Sequence, residues 1–234
     1  MKGLVLELQG IFGFFRVPFN ALLMDTYHFP PKTTAVGMLG AALGWDEDTF
    51  LSYLKKIKYG VIVEKPGEIA SETAVIFKSS NSPTYPITKN LLYKPKFRIF
   101  FISEEEPGII EKAYRALYDP AYVLALGDSE NLVYPSRKDY ANLLDVAPAE
   151  AERVRCILPS DIFTEFKERI DISSTEKGHE VMPPKEIKIP VDFTGKGKKR
   201  RFIPKSVYYY SGVEIVLREP VSAYDFSGEK VYLF

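Results

Sequence analysis

The residues best suited to binding chemistry surround the segment PPKTT, residues 30–34. Its two prolines bring the chain in extended, because proline cannot continue a helix from upstream. Lys32, Thr33 and Thr34 then stand at the predicted start of a helix, where free backbone N–H groups favour an anion. Together with Arg16, these residues would hold a sugar–phosphate backbone. The alternative is an ordinary helix, capped by Thr33 or Thr34, with a solvated lysine.

A histidine between two aromatic residues, Tyr27-His28-Phe29, precedes this helix. An aromatic ring or an imidazole at such a position can stack on a nucleobase. His28 could also act as a general acid or base. The alternative is that Tyr27 and Phe29 belong to the core and that a hydrogen bond holds His28.

Three glycines, Gly37, Gly40 and Gly44, fall within the predicted helix. A glycine in a helix interior costs about 1 kcal/mol relative to alanine, so the pattern indicates that another group approaches the helix closely. Tight packing of the helix on its neighbours explains the glycines most simply. A wall of a ligand site is the alternative.

A third candidate segment begins at Gly127 and includes Ser129 and Asn131. A strand that ends in glycine and small polar residues exposes backbone N–H groups, which suits a phosphate or a splayed nucleotide. Arg137 and Lys138 follow and would add positive charge. A plain surface loop is the alternative.

A fourth candidate is the basic turn, which contains Lys196, Lys198, Lys199, Arg200 and Arg201. Five cations in six residues repel one another without an anionic partner. Aromatic residues follow them, and a basic and aromatic hairpin suits nucleic acid. A solvated turn is the alternative.

Composition narrows the class of protein. The 234 residues are 46% hydrophobic, and 31 basic residues balance 31 acidic ones, so any basic surface must be local. One cysteine and two histidines predict neither a disulfide framework nor a metal site, and no motif predicts a cofactor. No apolar run reaches the roughly 20 residues that span a bilayer. We therefore expect a soluble, cytoplasmic protein that does not contact the membrane.

The hydrophobic pattern predicts an α+β fold. Alternation and turn signals give the order strand, helix, strand, strand, helix, strand, typical of ferredoxin-like or RNA-recognition-motif (RRM) cores. A hairpin interrupts this βαββαβ core. The predicted elements are a strand at 2–9, helices ending near Gly44 and Lys56, a strand at Lys58–Val63, arms at Ile69–Lys78 and Leu91–Ile102, a helix to Tyr118 and a strand at Tyr122–Leu126.

The rest of the chain predicts a mostly β extension. Ala149–Ile157 and Ile162–Ile170 have helical character, whereas Ile187–Phe193 and the last 33 residues suggest strands, with a turn at residues 227–228. A soft boundary near residue 145 divides the chain into a first domain, 1–145, and a C-terminal helical and β extension, 146–234.

Taken together, these residues resemble the CRISPR-associated Cas-five family, a subunit of type I Cascade-like complexes. The resemblance depends on Arg16-Val17-Pro18, on residues 27–34 running into residues 37–44, and on residues 122–127. It covers about the first 130 residues, and length and composition look like the I-A or I-B branch.

The resemblance implies an RRM-like core with a protruding β-hairpin thumb at about residues 70–98. It also implies a function in antiviral defence, as the subunit that caps the 5′ handle of the CRISPR RNA (crRNA). The implied neighbours are the backbone subunit and the large subunit. Target DNA is a candidate partner near the thumb. Lys32, Thr33, Thr34 and Gly127 stand where the family approaches the handle.

One branch of the family cleaves precursor RNA without metal, through a Tyr, Lys and His set. This chain offers only His28 and His179, and no convincing Lys–His pair. We therefore expect an RNA-binding subunit without catalysis. The alternatives are a metal-independent endoribonuclease that uses His28 and Tyr27, and a scaffold that does not contact RNA.

Overall fold

The computed structural model describes residues 1–18, 23–76, 85–133, 140–173 and 181–234. Three predicted features lie outside the described residues: the tip of the hairpin, the basic pair Arg137 and Lys138, and His179. None of the described helices is long and apolar enough to cross a bilayer.

Most of the ordered elements are strands, which confirms the α+β class with a mostly β composition. The strands are β1 (Lys2–Gln9), β2 (Phe12–Gly13), β3 (Ile57–Lys65), β4 (Glu68–Ile76), β5 (Tyr85–Tyr93), β6 (Lys96–Ser103), β7 (Ala141–Val154), β8 (Leu158–Pro159), β9 (Lys167–Asp171), β10 (Met182–Thr194), β11 (Arg201–Ser211), β12 (Glu214–Phe226) and β13 (Glu229–Val231). The helices are α1 (Lys32–Leu43), α2 (Glu47–Lys56), α3 (Gly108–Ala116) and α4 (Ser160–Phe166).

The main sheet is antiparallel, in the order β13-β12-β7-β1-β6-β3, and β9 also pairs with β12. Leu4, Leu6 and Leu8 of β1 alternate toward one buried core, as their spacing predicts. Two smaller sheets have the orders β10-β11-β8 and β2-β5-β4. Strand β7 runs through residue 145 and pairs with β1 on one side and β12 on the other, which joins the two parts of the chain.

The predicted strand at Tyr122–Leu126 is wrong. Val123 is 75% exposed, and the segment forms only an isolated bridge, between Ala125 and Leu132. The strand that pairs beside β1 is instead β7. The predicted helix at Ala149–Ile157 is also wrong: antiparallel pairing of this segment with β12 outweighs the helix propensity of its alanines and glutamates.

Two other predicted elements are each divided. The arm at Leu91–Ile102 breaks at Lys94-Pro95, where Pro95 has no N–H to donate and Lys94 has a φ of 53°. Its first part, β5, pairs with β4 in the hairpin, and its second part, β6, enters the main sheet. The predicted helix at Ile162–Ile170 ends at Phe166 and continues as β9. The turn at residues 227–228 joins β12 and β13, as predicted.

Helix α1 lies against α2, α3 and β10, and its glycines serve this packing. A Cβ on Gly40 would stand 3.0 Å from the Trp45 ring, and Phe50 lies 3.9 Å from the corresponding point on Gly37. Gly44 ends the helix with a φ of 70°, which favours glycine at this position. Close packing and the helix end therefore explain why glycine stands at these three positions.

The tail after β13 closes the curled sheet. The backbone N–H of Phe234 donates to the Tyr59 carbonyl, and the N–H of Tyr59 donates back to Phe234, each at 3.0 Å. The Phe234 ring meets Tyr59 edge to face at 5.7 Å. The outer edge of β3 is thereby covered beside the start of α1.

Candidate functional site

A cleft of about 540 Å³ opens beside the N-terminus of α1. Five segments line it: the extension before α1, the first turn of α1, Phe50 of α2, the loop at Gly127, and the β10–β11 hairpin. The lining residues are Phe14, Phe15, Arg16, Pro18, Met24, Pro31, Thr33, Thr34, Phe50, Gly127, Asp128, Pro190, Phe193, Arg200 and Phe202. Five of these were predicted from sequence as RNA-binding residues: Arg16, Thr33, Thr34, Gly127 and Arg200.

The first turn of α1 offers donors to the cleft. Pro31, with φ −60° and ψ 160°, is the N-cap residue, and its side chain cannot accept a hydrogen bond. The predicted threonine cap is therefore wrong: Thr33 and Thr34 lie within the first turn. The first intrahelical bond runs from Ala35 N–H to the Pro31 carbonyl at 2.9 Å. The preceding amides thus have no intrahelical acceptor, and no acidic residue occupies this turn.

Arg16 supplies positive charge at the edge of the cleft. Its backbone forms an antiparallel bridge with Thr26, and the neighbouring Phe15 N–H donates to the Thr26 hydroxyl at 2.9 Å. The Arg16 side chain is exposed, and no carboxylate of the described residues lies within 4 Å of it. The fold therefore fixes the base of this side chain and leaves its guanidinium available.

Lys32 lies in the interior, unlike the solvated lysine of the simple alternative. It is 9% exposed, and its Nζ donates to the Phe234 carbonyl at 3.1 Å. Burial lowers the pKa of Lys32 to about 8, Asp192 opposes that effect, and Lys205 and Lys58 add to it. In this conformation Lys32 ties α1 to the tail, and its predicted contact with phosphate stays a prediction.

The side chains of Tyr27 and Phe29 belong to the core, as their alternative interpretation holds. Both are fully buried. Burial raises the pKa of Tyr27 to about 12, and its hydroxyl has no partner among the described residues. A side chain in this position cannot stack on a base without rearrangement, so the predicted base contact of Phe29 is not supported by its placement.

His28 lies between core and surface. Its ring stacks on Tyr209, with centroids 5.5 Å apart and planes 20° apart. Nδ1 is buried without a partner among the described residues, so the predicted hydrogen bond is not made by this atom. Burial and the neighbouring Lys185 lower the pKa of His28, and Asp25 opposes them. The net effect favours the neutral imidazole.

The loop at Gly127 is held against the extension before α1. Phe14 N–H donates to the Leu126 carbonyl at 2.9 Å. Gly127 has a φ of 100°, and a Cβ there would stand 1.8 Å from the Phe14 carbonyl oxygen. Only glycine fits this approach. Within the loop, Asp128 Oδ1 accepts from Asn131 Nδ2 at 2.7 Å, whereas Ser129 is exposed.

A buried lysine neutralises the acidic side of this loop. Lys89 Nζ lies 2.9 Å from Asp128, 3.2 Å from Glu130 and 3.5 Å from Glu72. Burial lowers the pKa of Lys89, but its bonds to Asp128 and Glu130 outweigh this and raise it overall. Lys89 thus joins the hairpin strand β5 to the loop and reduces the negative potential beside the cleft.

The acidic start of α2 neutralises part of the basic turn. Arg200 Nη1 lies 3.2 Å from Glu47 Oε1, which also accepts from the Gly197 N–H at 3.0 Å. Lys196 Nζ lies 2.5 Å from Asp48. The three remaining predicted cations are exposed and have no carboxylate of the described residues within 4 Å: Lys198, Lys199 and Arg201.

The aromatic wall of the cleft was not predicted from sequence. Phe193 and Phe202 flank the basic turn, with ring centroids 5.7 Å apart, and Phe50 lies 6.3 Å from Phe193. Arg200 stacks over the Phe193 ring at 4.6 Å. The signal in the sequence was a phenylalanine at each end of the turn. The aromatic run that the sequence places after the turn is Tyr208, Tyr209 and Tyr210; none of them lines the cleft, and Tyr209 and Tyr210 are buried.

The arrangement can bind a phosphate and stack a planar group. The lining combines the first turn of α1, two arginines and three phenylalanine rings beside the basic turn. Among the described residues, no three His, Cys, Asp or Glu side chains are grouped as metal ligands would be.

Comparisons with known proteins identify relatives of the chain. The family model described as CRISPR-associated protein (Cas_Cas5) matches residues 3–168, well over half of the chain. A chain described as "CRISPR RNA-guided surveillance complex" is 16% identical, with a TM-score of 0.57, over 92% of this chain and 91% of that chain. Another, "Crystal structure of Cas protein", is 20% identical, with a TM-score of 0.53, over 92% and 95%.

The structural similarities establish a shared fold, and the comparison with curated proteins finds no match. The family model extends from β1 to the start of β9 and contains four of the five segments that line the cleft. It confirms the resemblance seen in the sequence: this chain belongs to the CRISPR-associated protein (Cas_Cas5) family.

Proposed function

We propose that the protein is a non-catalytic RNA-binding subunit of a type I CRISPR effector complex and that the cleft holds the 5′ handle of the crRNA. One observation carries this proposal. Arg16, Thr33, Thr34, Gly127 and Arg200 come from four separate segments, and all line the same cleft. Family membership supports the CRISPR setting.

The cleft suits a nucleotide in size and chemistry. Its 540 Å³ falls within the roughly 300–1,000 Å³ of small-ligand pockets. The amides and hydroxyls at the start of α1 would accept a phosphate, with Arg16 and Arg200 as counter-charges. Phe193 and Phe202 would stack on a base.

The basic turn would strengthen binding at the cleft rim. Lys198, Lys199 and Arg201 add exposed charge for further phosphates. Because Glu47 already pairs with Arg200, an RNA phosphate would compete with a carboxylate there. We therefore expect the affinity to fall as salt rises.

The remaining parts of the proposal concern the fold and the partners. The strand order β7-β1-β6-β3, with α1 and α2 after β1 and α3 after β6, supports a ferredoxin-like or RRM-like core with the β4–β5 hairpin as its thumb. We place this core in domain 1–145 and the extension in 146–234. The backbone subunit, the large subunit and target DNA near the thumb are the proposed partners, in an I-A or I-B complex in the cytoplasm.

Binding of a handle RNA tests the proposal. A synthetic RNA that copies the 5′ handle is titrated with the protein over a range of salt concentrations, with fluorescence anisotropy as the readout. Arg16→Ala and Arg200→Ala should each weaken binding and lower the salt slope by about one. Arg218→Ala is the control, because Arg218 is also exposed but lies on β12. Unchanged binding in the double variant of Arg16 and Arg200 would show that the cleft is not the RNA site.

A further inference from the structure

A second groove, of about 850 Å³, lies where β1 and β2 meet the turn between β5 and β6. Its floor is apolar and open to solvent: Ile11 is 65% exposed, Leu132 53% and Phe12 37%. The groove shares no lining residue with the cleft at α1. An exposed patch of large apolar side chains with a polar rim is typical of a protein interaction site.

The rim of this groove is basic, and among the described residues Glu68 acts on one of its lysines, Lys94, from beyond ion-pair distance. Lys65, Lys94 and Lys96 line it, and none has a carboxylate of the described residues within 4 Å. Glu130, the acidic residue of the lining, is paired with Lys89. The three lysines therefore present positive charge to whatever occupies the groove.

Two of these lysines occupy paired positions on neighbouring strands. Lys65 of β3 is the partner of Lys96 of β6, next to an irregularity in the register after Val63. Like charges at directly opposed positions destabilise a sheet. An anionic occupant would relieve this repulsion, so the pairing indicates a partner that brings negative charge.

We infer that this groove docks an acidic segment of a partner protein that also carries apolar side chains. Lysines with no carboxylate partner match acidic residues, and the aliphatic floor matches apolar ones. A nucleic acid fits less well, because bases stack on aromatic faces and the floor is largely Ile11 and Leu132. The Phe12 ring is already packed against Tyr93, with centroids 5.6 Å apart.

Site-specific photocrosslinking in the assembled complex tests this inference. A benzoyl-phenylalanine replaces Leu132 or Ile11 in protein co-expressed and purified with its partner subunits. Ile172, which is 62% exposed, is the control position. We expect at least tenfold more crosslinking at Leu132 and Ile11, to a protein segment that combines Asp or Glu with apolar residues. Crosslinks to RNA or to a second copy of this chain, or a yield equal to that at Ile172, would overturn the inference.

A charge reversal separates docking from folding. In Lys65→Glu, the new carboxylate stands at the position paired with Lys96 and replaces repulsion by attraction, so the melting temperature should rise while crosslinking at Leu132 falls at least tenfold. Lys188→Glu, at an exposed lysine of β10, should leave the crosslinking unchanged. Full crosslinking in Lys65→Glu would overturn the inference, and handle-RNA binding should stay unchanged in both variants.

Discussion

Replacing Lys32 by methionine tests whether this lysine is a buried cation at the base of α1. Lys32 is 9% exposed, and its pKa is lowered from the ordinary 10.5 to about 8, chiefly by burial. Methionine keeps much of the volume and removes the charge. The variant also loses the hydrogen bond to the Phe234 carbonyl.

The magnitude follows from the difference in pKa. At about 1.4 kcal/mol for each pKa unit, the gap between 10.5 and about 8 corresponds to about 3 kcal/mol of unfavourable burial at neutral pH. This figure already includes whatever stabilises the charged form, so the lost hydrogen bond offsets only about 0.5–1.5 kcal/mol of it, the value for an uncharged donor. We expect Lys32→Met to raise the free energy of unfolding at pH 7 by about 2 kcal/mol.

The pH dependence gives the sharper result. Below pH 8, Lys32 is charged in both the folded and the unfolded state. Between about pH 8 and 10.5 the folded protein binds fewer protons than the unfolded chain, so the stability of the wild type rises with pH. Burial raises the pKa of Cys156 from 9 to about 12, which lowers stability above pH 9 in both proteins and cancels in their difference.

Urea unfolding followed by fluorescence of the single tryptophan, Trp45, measures the effect. Trp45 stacks on Tyr53 at 4.6 Å, next to the end of α1, so unfolding changes its environment. The difference in unfolding free energy between wild type and Lys32→Met should shift by about 3 kcal/mol between pH 7 and 10.5. A difference that stays constant within about 0.5 kcal/mol would refute the assignment of Lys32 as a buried cation.

Three further predictions concern the loop at Gly127 and the alternative activity. Gly127→Ala should lower the unfolding free energy by at least about 2 kcal/mol more than the control Gly228→Ala. Both glycines have a φ near 100°, but only Gly127 lies against the Phe14 carbonyl. Equal losses of unfolding free energy in urea would contradict this prediction. Lys89→Met should lower the unfolding free energy by about 2 kcal/mol in the same assay, because it leaves Asp128 and Glu130 without their cation. A loss below about 0.5 kcal/mol would argue against Lys89 as the residue that neutralises this loop. Repeat RNA incubated with the protein in EDTA should remain intact, whereas specific cleavage that disappears in His28→Ala would establish the endoribonuclease alternative.

Residue type and spacing predicted a good part of the candidate site. Arg16, Thr33 and Thr34 could be proposed because prolines and a helix start are visible in sequence, and Gly127 because a glycine ends an apolar run. Their convergence on one cleft could not be derived, since it depends on how β1, α1 and the loop pack together.

Burial of individual side chains could not be predicted from residue type and spacing. Lys32 and Phe29 have the residue types of a nucleic-acid contact, but both side chains lie in the interior. A lysine is placed inside only when a partner accepts its hydrogen bond, and here that partner is Phe234, 202 residues away. The aromatic wall of Phe193 and Phe202 was missed because neither phenylalanine is distinguishable from a core residue by local pattern.

The sequence alone determined the family, the α+β class, the early helices and the candidate segments, because these depend on local chemistry: proline and glycine positions, apolar periodicity and clustered charge. Tertiary structure alone decided which strand pairs beside β1, since non-local pairing converts the helix-favouring β7 segment into a strand. It also decided that PPKTT offers its threonines to the cleft and its lysine to the core. Side-chain direction at a helix start depends on what packs against each face, and here those faces are formed by the tail and by the β10–β11 hairpin.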